Sequence, residues 1–216
     1  MTAGRDWLAW HADYDVPDSP LAQRLAVVQG WIRQTLDQAP PGPVRVVSMC
    51  AGQGRDLIDV LSGHPRGTEV TARLVEIDPR IAAAARQRAA AAGLPLVEVV
   101  TGDAALAGAY AGLAPADLVL ACGVFGNISA GDIQRTIAGC ARLCATGGTV
   151  IWTKSRQAPD LIPLLCQWFA EQDFELAGVS DPGPVWAVGA HRFTGRPAPL
   201  LAGERMFTFR YWPGSR

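Results

Sequence analysis

The chain has 216 residues, with 19 Lys and Arg against 20 Asp and Glu, a net charge of −1 and a pI near 6.3. The length suits one domain with a sizeable core, and balanced charge without any basic run provides no electrostatic footprint for nucleic acid. Neither a bilayer-length apolar run nor the apolar stretch of a signal peptide is found, so no membrane association and a cytoplasmic location are expected.

The five cysteines, Cys50, Cys122, Cys140, Cys144 and Cys166, are odd in number and form no C-x-x-C pair. They read as reduced thiols, with Cys140 and Cys144 packed on one helix face. His11, His64 and His191 lie far apart and offer no zinc-ligand spacing, so no metal is expected.

A leader, residues 7–20, carries Trp7, Trp10, His11, Tyr14 and Asp15. Leu21, Leu25, Val28, Ile32 and Leu36 follow at helical spacing over residues 21–38, and Pro40-Pro41-Gly42-Pro43 ends the helix. The boundary falls there, with a leader and helix over 1–43 and the core over 44–216. A first strand runs to Met49 and stops at Cys50-Ala51-Gly52-Gln53-Gly54, after which residues 56–61 start a helix pattern. A strand that turns tightly into a helix leaves backbone N–H groups in a crevice, and glycines let a ligand approach closely.

A second strand, residues 71–76, ends in Glu76, 22 residues after Gly54. Rossmann-type units place their ribose-binding acid at an offset of about 20 residues. Asp78 before Pro79 reads as the cap of an Ala- and Arg-rich helix over 81–92, closed by Gly93. The third strand, residues 97–101, leads into Gly102-Asp103-Ala104, and the fourth, residues 117–122, into Gly123. Ser129 caps a helix running to about Leu143, with Asp132 at its third position. Gly147-Gly148 turns into a fifth strand over 149–153, and a helix over 160–171 is interrupted near Pro163. Strands over 174–179 and 185–193 complete the sheet, with residues 207–211 as a further edge segment. This alternation predicts a Rossmann-like, doubly wound, mostly parallel sheet of about seven strands with helices on both faces.

The ordered set Cys-Ala-Gly-Gln-Gly, Leu-Val-Glu-Ile-Asp-Pro, Thr-Gly-Asp-Ala, Ala-Asp-Leu-Val-Leu and Cys-Ala-Thr-Gly-Gly-Thr-Val-Ile-Trp, spanning about 44–154, resembles the class I S-adenosylmethionine-dependent methyltransferases. The resemblance implies an antiparallel final long strand and S-adenosylmethionine as cofactor, with S-adenosylhomocysteine as product. It implies that Cys50, Ala51, Gly52 and Gly54 border the methionine part. Glu76 then accepts from ribose hydroxyls, Asp103 and Ala104 meet the adenine, and Ile77, Cys122 and Gly123 complete the set. Two positions depart from the family pattern. Cys50 stands where a glycine is usual, and Ser48 where an acid is usual.

Each position also has a structural reading. Glu76 is otherwise an exposed strand-end acid, and Asp103 otherwise a turn or cap residue. Asn127 either holds a polar group of the substrate or shapes the turn before Ser129, and Phe125 either borders the pocket or fills the core. Trp10 and Tyr14 form a water-excluding lid over the substrate or glue the leader to the core, and His11 is the candidate base of that lid. Trp152 and Lys154, with Arg156, face an acidic substrate group or a solvated loop, and His191 reads as a core or edge histidine. The function expected is methyl transfer to a small-molecule acceptor. The alternatives are another S-adenosylmethionine-consuming reaction, such as cyclisation of the cofactor, or a cofactor-binding module without turnover.

Overall fold

The computed structural model describes residues 11–181, 184–201 and 203–210, with the backbone alone for His11 and Ala12. Trp7 and Trp10 lie outside the described residues. Seven strands form one sheet: β1 (Val44–Met49), β2 (Val70–Glu76), β3 (Val97–Thr101), β4 (Ala116–Ala121), β5 (Cys144–Ser155), β6 (Phe174–Val179) and β7 (Trp186–Phe193). Their spatial order is β3-β2-β1-β4-β5-β7-β6. The first five are mutually parallel, and β7 runs antiparallel to both β5 and β6. The doubly wound sheet and its antiparallel last strand are therefore as expected.

Alternate residues of the central strands feed two separate cores. Val46, Leu118, Leu120, Ile151 and Val188 belong to one, and Val47, Met49, Val119, Val150 and Ala187 to the other. A strand buried on both faces has no polar side to show, which is why these segments read as continuous apolar runs. Helices α1 (Pro20–Gln38), α2 (Ile58–Gly63) and α3 (Pro79–Ala91) cover the first face through Val28, Ile32, Leu61, Ala82 and Ala85. Helices α4 (Ala130–Leu143) and α5 (Ile162–Ala170) cover the second through Ile133, Ile137, Leu165 and Phe169.

Local chemistry sets the helix starts. Ser19 accepts from the Ala22 N–H at 3.0 Å with Pro20 in the first turn of α1, Asp78 accepts from the Arg80 N–H, and Ser129 from the Asp132 N–H. The helix α1 belongs to the core rather than to a detachable leader. Val28, Ile32 and Leu36 are buried, and the Trp31 ring lies where a Cβ on Gly178 of β6 would stand.

Three expectations need correction. Pro163 does not interrupt α5, which begins at Ile162 and so has proline in its first turn, where no intrahelical N–H is lost. The strand β5 starts earlier than expected and takes in Gly147-Gly148 at an irregular step in its pairing with β4. A Cβ on Gly148 would come within 2.9 Å of the Ala116 and Ala145 carbonyls, which accounts for glycine there. Of the edge segment expected over 207–211, residues 207–210 are not a strand and Tyr211 lies outside the described residues. Arg205 bridges to Leu106, the Met206 N–H donates to the Ala105 carbonyl, and Phe207 is buried under α4 and α5.

His191 lies on β7 at 0% exposure, stacked on Phe169 with ring centroids 4.1 Å apart. Its Nδ1 accepts from Trp152 Nε1–H at 3.0 Å, which leaves the proton on Nε2, and that atom has no partner. Burial lowers its pKa from 6.5 to about 4. Between those values the unfolded chain binds the proton and the folded one does not. The contribution is present above pH 6.5 and is lost as pH falls toward 4, a penalty of up to about 3 kcal/mol. We expect urea unfolding of the native protein to show this loss between pH 6.5 and 4. His191→Gln, which keeps an acceptor for Trp152 and does not titrate, should show a flatter profile over the same range.

Candidate active site

Successive strands run outward from β1 through β2 to β3 on one side, and from β4 to β5 on the other. The gap between β1 and β4 is thus the topological switch point, and ligands of open α/β sheets bind outside the carboxyl ends of the strands there. The turn after β1 has Cys50, Gly52 and Gly54 at φ of 50°, 57° and 69°. Left-handed backbone costs a side-chain-bearing residue about 1–2 kcal/mol, so Cys50 sits under strain where glycine would not. Burial pushes its thiol well above the usual range, with the Glu76 and Asp103 carboxylates adding to the shift, and it stays protonated.

The N–H groups of this turn are largely spoken for. Ala51 donates to the Val75 carbonyl at 3.0 Å, Gly54 to the Ala51 carbonyl at 2.9 Å, and Gly52 to Glu76 Oε2 at 2.9 Å. The expectation of free donors facing the crevice is corrected for these three groups. Glu76, 8% exposed, also accepts from the Asp78 N–H through Oε1 at 2.9 Å. Two of its roughly four lone-pair sites are used, and the rest remain for hydroxyl donors. Ile77 beside it is 39% exposed, a large apolar surface next to the carboxylate.

Asp103, after β3, accepts from the Ala105 N–H at 2.9 Å and pairs with Arg205 of the C-terminal segment at 2.8 Å. The turn reading of this residue is realised, and its second oxygen is shared with a cation that the sequence does not point to. Ala104 is buried, and its carbonyl accepts from the Tyr110 hydroxyl.

After β4, Cys122 is half-buried and burial holds its thiol protonated. The Gly123 N–H donates to Thr153 Oγ1 at 2.8 Å, and Asn127 Nδ2–H donates to the Gly123 carbonyl at 2.6 Å. Of the two readings of Asn127, the turn-shaping one accounts for its amide donor. Phe125 and Trp152 do not line the crevice. They are 1% and 0% exposed in the aromatic cluster with Phe169, because both alternate onto the face covered by α4 and α5. Lys154 is half-buried. Its Nζ reaches Ser155 only at 3.4 and 3.5 Å, and burial lowers its pKa, with Asp160 opposing and Arg210 adding to the shift.

The leader docks on this turn. His11–Asp15 is one 3-10 turn whose Asp15 carboxylate takes two bonds from Arg55, at 2.6 and 3.0 Å. The Arg55 guanidinium lies 5.6 Å from the Tyr14 ring centre, and its Nε–H donates to Gln53 Oε1. Gln29 of α1 donates to the Arg55 carbonyl at 2.9 Å. Tyr14 is half-buried and hydrogen-bonded to Arg24. Burial raises its pKa, and Asp56 and Cys122 lie within electrostatic reach. Asp56 itself is half-buried, accepts from the Leu57 N–H at 2.8 Å, and is pushed up to about 6 by burial. Trp10 and the His11 side chain lie outside what is described. Arg55, Arg205 and Asp56 have no periodic or motif signal beyond the closeness of Arg55 and Asp56 to the glycine turn.

A family model described as a methyltransferase domain matches residues 48–150, from β1 through the glycine turn to β5. Over those residues, just under half of its length, the chain is similar to methyltransferase domains, consistent with the class I S-adenosylmethionine-dependent methyltransferases. Among solved structures, an O-methyltransferase family protein from Burkholderia thailandensis is 18% identical, covering 81% of this chain and 56% of its own, with a TM-score of 0.64. The chain thus spans little more than half of that relative. Magnesium protoporphyrin IX methyltransferase from Synechocystis PCC 6803, with S-adenosylmethionine bound, is 14% identical, covering 81% of this chain and 80% of its own, with a TM-score of 0.63. The (4+2)-cyclase SpnF is 14% identical, covering 77% of this chain and 81% of its own, with a TM-score of 0.57. These likenesses establish the shared fold, and a fold does not fix a reaction. No curated protein matches the sequence.

The turn after β1 tolerates little change at Gly54. A Cβ there would stand 2.6 Å from Ile58 Cδ1 and 2.8 Å from Leu74 Cδ2, on backbone at φ 69°. Gly54→Ala therefore adds crowding to left-handed strain. A loss of about 1–3 kcal/mol in urea unfolding is expected.

Proposed function

We propose that the chain transfers a methyl group from S-adenosylmethionine to a small-molecule acceptor held in the β1/β4 crevice under the docked leader. The observation that carries this reading is Glu76. Its carboxylate is fixed by two backbone N–H groups, keeps acceptor capacity for a ribose, and lies beside the exposed Ile77. The residues present suit the cofactor. The described space around Gly123 is open where a Cβ would stand, so its backbone can be approached closely. In this reading Glu76 receives the ribose hydroxyls, Ile77 and Asp103 flank the adenine, and the turn from Cys50 to Gly54, with Cys122 and Gly123, borders the methionine part.

The cofactor, when bound, supplies a methyl group already activated on a sulfonium. The work left to the protein is to align the acceptor and exclude water. Tyr14 and Arg55 cover the crevice from the leader side, and Arg55 ties that cover to the glycine turn. The Cys50 and Cys122 thiols stay protonated and so do not compete as nucleophiles. A small acceptor fits a crevice that the described part of the leader covers with one 3-10 turn, in a chain of net charge −1. Among the described residues, no helix is long and apolar enough to cross a membrane.

Incubation with methyl-labelled S-adenosylmethionine and a fractionated cell extract tests this. Label is expected in the low-mass fraction, on a product heavier by one CH2. Label confined to protein or nucleic acid would overturn the small-molecule acceptor, and cofactor binding without any transfer would overturn catalysis. The cofactor arm has its own check in Glu76→Ala, which removes acceptors worth about 1.5–3 kcal/mol each as charged hydrogen bonds. Calorimetric titration with S-adenosylhomocysteine should show affinity reduced at least about tenfold. An unchanged dissociation constant in folded protein would remove Glu76 from the site.

A further inference from the structure

The strand order sets the direction of the bound cofactor, given the reading above. Asp103 follows β3, Glu76 ends β2, the glycine turn follows β1, and Cys122 follows β4. Adenine over β3 and ribose over β2 place the amino-acid tail toward the β1/β4 gap, about 12 Å away across two and a half strand spacings. That tail ends in a zwitterion, and its ammonium needs an acceptor, best a charged one. The usual acid is missing at position 48, where Ser48 is 1% exposed and carries no charge. The Cys50 thiol is held neutral as well.

The aspartates around the crevice differ in one respect. Asp15 is paired with Arg55, Asp59 with Arg88, Asp78 with Arg80 and Asp103 with Arg205. Asp56 is in none of the salt bridges found among the described residues, and its hydrogen bonds come from the backbone N–H groups of Leu57 and of Asp56 itself. It stands two residues beyond Gly54, half-buried, within electrostatic reach of Tyr14 from the leader and Cys122 after β4. It is thus a carboxylate in no salt bridge among the described residues, on the turn beside the β1/β4 gap toward which the tail points.

We propose that Asp56 receives the α-ammonium group of the cofactor's amino-acid tail and so supplies the negative charge that Ser48 does not. The raised pKa of Asp56 fits a carboxylate waiting for a cation, because burial disfavours its charged form more than its backbone hydrogen bonds and the Arg24 charge favour it. Arg24 lies within electrostatic reach of the same carboxylate, so the gap holds both signs of charge that a zwitterion needs.

Three probes separate the contacts: S-adenosylhomocysteine, its analogue with the α-amino group replaced by hydrogen, and 5′-methylthioadenosine, which lacks the amino-acid tail. Their dissociation constants would be measured on the native protein and on Asp56→Asn, whose side-chain oxygen still accepts the Leu57 N–H. Native protein should prefer S-adenosylhomocysteine to the deaminated analogue by about tenfold or more. Asp56→Asn should abolish that preference and leave the affinity for 5′-methylthioadenosine unchanged. Equal weakening of all three probes, or an intact preference in the variant, would overturn the proposal. Binding of none of them to native protein would instead overturn the cofactor reading on which it rests. Asp56→Ser, with a smaller acceptor for the same N–H, repeats the comparison if the Asn variant does not fold.

Discussion

Glu76 joins three parts of the chain through its carboxylate and its backbone carbonyl. One oxygen accepts from Gly52 in the turn after β1, the other from Asp78 at the cap of α3, and the Glu76 carbonyl accepts from Gly102 after β3. The consequence follows from what holds it. Backbone N–H groups stabilise a buried carboxylate while leaving part of its acceptor capacity open, whereas a bidentate arginine would occupy both oxygens. The same joint ties the left-handed turn from Cys50 to Gly54 to β2, with the Ala51 N–H on the Val75 carbonyl as a second tie.

Two segments distant in sequence close on this joint from opposite sides. Residues 11–19 are tied to the glycine turn through Asp15 and Arg55, and the C-terminal segment reaches the loops after β3 and β4 through Arg205 on Asp103 and the Arg210 N–H on the Asn127 carbonyl. Asp15 is 66% exposed in its pair and Arg205 50% in its own. Ion pairs this open contribute up to about 1 kcal/mol, so they set position more than they set stability. The stability of the same regions comes from Val28, Ile32 and Leu36 beneath the leader and from Met206 and Phe207 in the tail, all buried.

The framework of the candidate site was legible because its signals are local. A strand ending in Cys-Ala-Gly-Gln-Gly, an acid ending the next strand, and an Asp-Pro helix start depend on residues a few positions apart, and the structure puts Gly52, Glu76 and Asp78 in direct contact. Side-chain direction was not legible in the same way. Phe125 and Trp152 stand beside the expected crevice in sequence, yet both point into the aromatic core with Phe169. His191 shows the same limit. The sequence places it in a strand, but its stacking between Trp152 and Phe169, with one nitrogen left unpaired, depends on which elements pack over that face.

By itself the sequence determined the order of strands and helices, the two-sided burial of the sheet, and the carboxylates at the ends of β2 and β3, since apolar periodicity and turn chemistry act over short stretches of chain. Only the tertiary structure decided the rest. It brought Arg55 to Asp15 across 40 residues and Arg205 to Asp103 at the far end of the chain, spent the Asn127 amide on a turn, and left Asp56 in no salt bridge among the described residues. Such pairings follow from how the sheet orders its strands and where the two terminal segments cross it, and no local pattern of residues encodes that geometry.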